Sequence, residues 1–445
     1  MSQSAPPPRR RALRPALLTL GVAAVAFAHA AVVGSVLAQP LDVRSAALER
    51  RAWVFGLYND AVHRIGPAGD FFAIYRAGVQ VRAGRSAFAG AEDPRNPPYG
   101  YAYRYLPAVA QTLGRALTLL PPRAAWVAWG LACEALLAAF LALWLRSVSE
   151  PRERAAGAIV LLASTPYFLE LHMGQFTFAT CALACSALLL FERGRGRAAQ
   201  AAASLLLAAG ALLKLVPLVV LPALRRPRAA RLGWAFAALL VAGTLAWHAL
   251  CAPGDLARLR AANVDELSPG SQRGNFGMLY TLTAAAREAG VEWTRARFAP
   301  FARGWQALVL GATALLAWLA PARALALGGA ALLTAFFLAY QHLWEHHYSG
   351  ALLAGLLVAR GVAASGGGRS SRALAWLALA ALALPTPFAW LAGRGDPTWQ
   401  SWPGWQQWAV PLAKSGPLFL LWVLALAGLA RERRSAVETG DATES

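Results

Sequence analysis

Long apolar runs separated by short, arginine-bearing links are what most restrict how this chain folds. About 20 consecutive apolar residues suffice to cross a bilayer as a helix. Lipid offers the backbone no hydrogen bonds, so such runs must satisfy their own and become helical. Apolar residues make up 58% of the 445 positions and charged residues only 14%, whereas a soluble domain carries about a quarter charged. The expected fold is an all-α integral membrane bundle of about twelve transmembrane helices, with interfacial helices in its first outer loop.

The formal charge of +20 does not mark a nucleic-acid binder. Its arginines form no solvated patch interleaved with aromatics. They fall in the links, as the positive-inside rule places them in cytoplasmic loops. The basic N-terminus followed by roughly 24 apolar residues resembles a signal peptide, but the run is too long for that and more spans follow, so it reads as a retained first helix. Residues 1–14 and 431–445 become cytoplasmic tails around a membrane domain over 15–430, with long outer loops at 39–122 and 251–300. Inside that domain, the run 198–224 has arginines at both ends and breaks at LLKLVP, as two short helices meeting near the outer side would. Of the four cysteines, Cys133, Cys181 and Cys185 lie in apolar runs and none forms CxxC. They are small core residues, without a disulfide framework or a metal site.

Chemistry-bearing residues gather on the expected outer side. Asp70, in GDFFAIYRAG, precedes two phenylalanines and, at i+5, Tyr75. It reads as a solvated acid, a helix-capping acid or a general base in an apolar shell. Gly174-Gln175 marks a hairpin tip, either a plain turn or a hydrogen-bonding site. Lys214 is one of two lysines in the chain, set in an apolar run near Pro217. A cation there either snorkels to the interface or binds a phosphate. Tyr99, Tyr101, Tyr103 and Tyr105 recur at period two around Arg104, as interfacial tyrosines or as partners of sugar and phosphate. Loop residues Ser271, Gln272, Arg273 and Asn275 suit hydroxyls or phosphate. Trp344-Glu345-His346-His347-Tyr348 has Gln341 and His342 just before it; His342 and His346 are spaced i, i+4, as in some zinc sites, yet the HExxH order is absent. That set reads as an interfacial belt or as a contact to an anionic phosphate or acceptor sugar. There is no Walker motif, no GxGxxG followed by an acid and no Ser/His/Asp arrangement, which points away from nucleotides.

In this order the motifs resemble the family 87 glycosyltransferases, which are GT-C enzymes similar to polyprenol-phosphate-mannose-dependent alpha-mannosyltransferases. The resemblance covers about 65–360. It rests on GDFFAIYRAGVQVRAG followed by YAYRYLPAVAQTLGRALTLLP, on Gly174-Gln175, on LLAAGALLKLVPLVVLP and on Trp344-x-His346-His347. Arg104-Tyr105-Leu106-Pro107 replaces a Pro-Pro pair, and Glu345 replaces a Ser-Pro lead-in.

The resemblance implies inverting transfer of a sugar, mannose or a related pentose or hexose, from a polyprenyl-phosphate donor to an envelope glycolipid or glycan. Asp70 would be the base. Lys214, His346, His347, Arg104, Gln175 and Arg273 would bind donor phosphate and sugar. Tyr75, Tyr103, Trp344, Glu345 and Asn275 would line the acceptor side. No cofactor or metal is implied, because no nucleotide diphosphate leaves. The enzyme would cross the plasma membrane several times, with both termini cytoplasmic and its site facing outward; its partners would be donor, acceptor and lipid, and no nucleic acid. A lipid-linked-sugar flippase shares the broken helices but calls for internal repeats between halves, and none is evident. A ligase would lean on arginines and a histidine.

Overall fold

A computed structural model describes residues 9–41, 67–89, 103–193, 196–225, 228–264, 275–386 and 404–439. Every regular element among them is helical. In chain order these are α1 (Arg9–Leu37), α2 (Gly69–Arg82), α3 (107–117), α4 (Pro122–Ser147), α5 (Pro151–Leu162), α6 (Thr165–Met173), α7 (Thr177–Arg193) and α8 (Arg197–Leu213). They continue with α9 (Arg228–Cys251), α10 (Pro253–Val264), α11 (Met278–Glu288), α12 (Arg295–Leu319), α13 (Leu325–Ala339), α14 (Tyr348–Ala364), α15 (Arg369–Ala383) and α16 (Gly404–Glu438). Short 3-10 segments lie at Val216–Leu224, Ala322–Ala324 and Glu345–His347.

Proline and small polar residues set the breaks. Pro122 opens α4, where its missing N–H costs nothing. Ser164 caps α6 by accepting from the Tyr167 amide at 3.2 Å, and Pro166 follows in the first turn, so α5 and α6 form one interrupted rod. α8 stops at Lys214, whose backbone is extended, and a 3-10 stretch begins at Val216 with Pro217 in its first turn. The break expected at LLKLVP is therefore present. α3 contains one π-turn over Ala110–Gly114, a distortion that apolar spacing alone does not signal.

Among the described residues, seven helical segments are long and apolar enough to cross a membrane, against the expectation of about twelve for the whole chain. α7 and α8 have 17 residues each and α15 has 15, short of a full span. α12 carries Arg295, Arg297 and Arg303 near its start. The protein is a multi-pass membrane protein. Most of its core is one apolar cluster in which Trp126, Phe140, Trp144, Phe176, Phe178 and Phe337 are fully buried, with two smaller clusters around Leu332 and Phe298 beside it. The runs are rich in alanine, which lets helix backbones approach and gain dispersion contacts where lipid supplies no hydrophobic drive.

The bundle has two chemically distinct ends. At one, arginines close the links: Arg154 Nε donates to Val148 O at 2.5 Å, Arg323 Nε pairs with Glu432 Oε2 at 2.7 Å, and Arg360 pairs with Glu192. At the other, the start of α2, the α6–α7 turn, the end of α8 and the loop after α13 come together.

Candidate active site

Asp70 stands in the first turn of α2, not at its N-cap. The N-cap is Ala68, at φ 65°, the one non-glycine residue with positive φ among the described residues. An L-residue held there is strained and must be fixed by its surroundings. Two contacts do this. The Ala68 amide donates to His172 O at 2.6 Å, and Gly174 lies so close to Phe71 that a Cβ on the glycine would come within 2.5 Å of Phe71 Cβ. Gly174 has φ 63° and ends α6 in the left-handed conformation, which glycine adopts without steric penalty.

The α6–α7 hairpin tip thus positions the carboxylate. Phe71 and Phe72 are fully buried beneath it, while Asp70 keeps partial exposure. Desolvation by that shell lifts its pKa to about 6, opposed by the charges of Lys214 and Arg104. The carboxyl group changes charge just below neutral pH, suiting a base.

Gln175 turns inward from the same tip. Its Oε1 accepts from Tyr105 OH at 2.8 Å and from the Phe176 amide at 2.8 Å. Lys214 Nζ donates to Thr177 Oγ1 at 2.9 Å, which leaves two further N–H directions for a ligand oxygen. Glu170 is buried behind it, accepting from the Phe178 amide at 2.7 Å and from Ser349 Oγ at 3.1 Å. Asp70, Glu170 and Lys214 lie within electrostatic reach of one another.

The loop after α13 approaches from the far side of the sequence. His346 and His347 are buried and feel the charge of Lys214. The Trp344 amide donates to His347 Nδ1 at 2.9 Å, so the neutral ring carries its proton on Nε2 and presents a donor there. His346 Nε2 is buried without a protein partner. Asn275 pins this loop by donating to Gln341 O at 2.5 Å and accepting from the Gly277 and Leu343 amides at 2.8 and 3.3 Å.

Asp70, Lys214, Gln175, His346 and His347 therefore gather at one end of the bundle, with Arg104 exposed at the rim. Others among the expected residues spend their polar atoms on the scaffold. Tyr75 OH donates to Leu120 O at 2.9 Å, and Tyr103 OH donates to Leu106 O at 2.5 Å while accepting from the Ala110 amide. Glu345 binds Thr386 and Lys414, and Trp344 is half-buried at the loop's start. Arg273, Ser271, Gln272, Tyr99 and Tyr101 lie outside the described residues.

A family model, Glycosyltransferase family 87, matches residues 107–341, more than half of the chain. The chain belongs to glycosyltransferase family 87. No curated protein matches it. The family 87 match takes in Glu170, Gln175, Lys214 and Asn275, and it leaves Asp70 and the two histidines on either side. The protein is thus a membrane-embedded glycosyltransferase.

Two acidic or basic groups of this family 87 enzyme were passed over in reading the sequence. Glu170 lies in FLELHMGQF and Lys414 in AVPLAKSG, each a single charge in apolar surroundings. The cost of an intramembrane charge, the signal that singled out Lys214, applies to both.

Proposed function

We propose that this glycosyltransferase moves a sugar from a polyprenyl-phosphate donor to a glycolipid or glycan hydroxyl at the outer face of the plasma membrane, with inversion. One observation carries the reading: a carboxyl group set on two fully buried phenylalanines lies within electrostatic reach of a lysine whose charge also reaches two buried histidines. In this reading Asp70 takes the proton of the acceptor hydroxyl while that oxygen bonds to the anomeric carbon. The bond from that carbon to the phosphate oxygen breaks, and its electron pair leaves with the polyprenyl phosphate. Lys214, His347 Nε2 and Arg104 donate to the departing phosphate as charge builds on it, the point where fixed donors help most.

Glu170, within electrostatic reach of Lys214, offsets part of its charge in the absence of donor. Gln175 and Tyr105 are suited to sugar hydroxyls, which both donate and accept. The arginine-bearing links at the opposite end support a cytoplasmic location for that end and both termini, and an outward site.

The test is transfer by purified protein in lipid nanodiscs, offered mannosyl polyprenyl phosphate or a nucleotide-diphosphate mannose with candidate acceptors. Product from the lipid-linked donor alone is expected. Turnover of the nucleotide donor without any lipid-linked intermediate would overturn the reading.

A further inference from the structure

Glu345 and Lys414 are both 1% exposed, with Nζ and Oε1 3.5 Å apart. Glu345 opens the turn that carries the histidines, and Lys414 reaches it from α16. Lys414, on α16, donates to Leu382 O at 2.9 Å and to Leu384 O, with Ala381 O at 3.5 Å. Ala381 and Leu382 belong to the last turn of α15, whose carbonyls lack intrahelical donors, and a cation is favourable at that end of the dipole. Glu345 Oε1 accepts from Thr386 Oγ1 at 2.6 Å and from the Thr386 amide at 3.2 Å. The end of α15, the body of α16 and the Glu345–His347 turn therefore meet in one polar knot, one residue away from His346.

A buried ion pair is weak evidence for stabilisation, because an apolar pair of the same shape often packs as well. Its place beside two histidines, at a turn where His346 Nε2 and Glu345 Oε2 are buried without hydrogen-bond partners, argues for orientation instead. We propose that Glu345 and Lys414 form a strut that fixes where His346 and His347 stand, which makes both of them positioning residues for the transfer. The proposal rests on the reading of those histidines as donor-phosphate ligands.

The experiment compares wild type with Glu345→Gln, Lys414→Met, Glu345→Asp and the double variant Glu345→Gln/Lys414→Met, all as full-length protein in nanodiscs. Single variants leave one buried charge unmatched and can fail to fold. The double variant leaves none and keeps the question open to test. Three quantities are read: thermal midpoint, kcat and KM for the lipid-linked donor, and the rate at which diethyl pyrocarbonate modifies His346 and His347, followed by mass spectrometry.

The double variant is expected to melt near wild type, to lose roughly 10–10²-fold in kcat with the acidic limb of its pH profile unmoved, and to modify its histidines several-fold faster. Glu345→Asp is expected to recover part of the kcat. A folded double variant with wild-type kcat and wild-type histidine reactivity would overturn the strut. Absence of transfer by wild type would overturn the functional reading instead, and the modification rates alone would then decide the strut.

Discussion

Replacing Asp70 by asparagine keeps the side chain's shape and removes its basicity. Loss of general-base assistance lowers kcat by about 10²–10⁴-fold, measured as initial rates of transfer with saturating donor. The same residue sets a pH signature. Burial raises its pKa from 3.8 to about 6, and only the ionised form accepts a proton. Wild-type kcat/KM therefore rises with pH through about 6 and then levels, and Asp70→Asn flattens that limb. For stability the sign is opposite: between about 4 and 6 the folded state binds the extra proton, so this group's contribution falls as pH rises across that window.

At this scale the sequence was informative because charges in apolar runs are rare. Asp70, Lys214 and the His346-His347 pair stood out for that reason. What it could not supply was pairing. Glu345 looked like a ligand-facing acid, and in the fold it is matched by Lys414, 69 positions along the chain. Tyr103 looked like a sugar contact, and its hydroxyl closes a local turn instead.

Among the elements, α2 and the α6–α7 turn work as a unit. Gly174 at φ 63° lets the turn press against Phe71, and the turn in turn holds Ala68 in its strained conformation. Gly174→Ala places a methyl where the space is already filled and forces an L-residue into the left-handed region. The expected cost is about 1–3 kcal/mol, read as a lower thermal midpoint in detergent. Turnover falls further than the loss of folded protein explains, because α2 must shift and carries Asp70 with it.

A second close approach joins α2 to the π-turn of α3, where a Cβ on Gly114 would come within 2.8 Å of Ile74 O and 3.3 Å of Gly78 Cα. The break at Ser164 falls inside a run that reads as one span, while the helix breaks at Pro122 and Lys214 were legible, since proline acts locally. The π-turn and the 3-10 segment after Lys214 were not, because they arise from fitting α3 against α2 and a short pass into the bundle.

At the scale of the molecule, the two ends differ in chemistry, and this carries a topological prediction. Cys251 is exposed while Cys133, Cys181 and Cys185 are buried, and Cys251 closes α9 at the end that holds the site. A membrane-impermeant maleimide added to intact cells is expected to label this position and to miss the Cys251→Ser variant. Labelling only after permeabilisation would reverse the orientation and place the site inside.

The sequence by itself determined that the chain is a membrane-embedded helical bundle, that it breaks at the prolines near Pro122 and Lys214, and which scarce polar residues deserve notice. These follow from local physics: run length against bilayer thickness, the fixed backbone of proline, and the cost of a charge in lipid. The tertiary structure alone decided which of those residues meet. It set Glu170 behind Lys214, brought the histidines after α13 within electrostatic reach of Lys214 across more than 130 positions, and turned Glu345 toward Lys414. Such encounters depend on how α2, α6, α8 and α14 cross, and crossing is fixed by side-chain packing between distant segments, which no window of sequence contains.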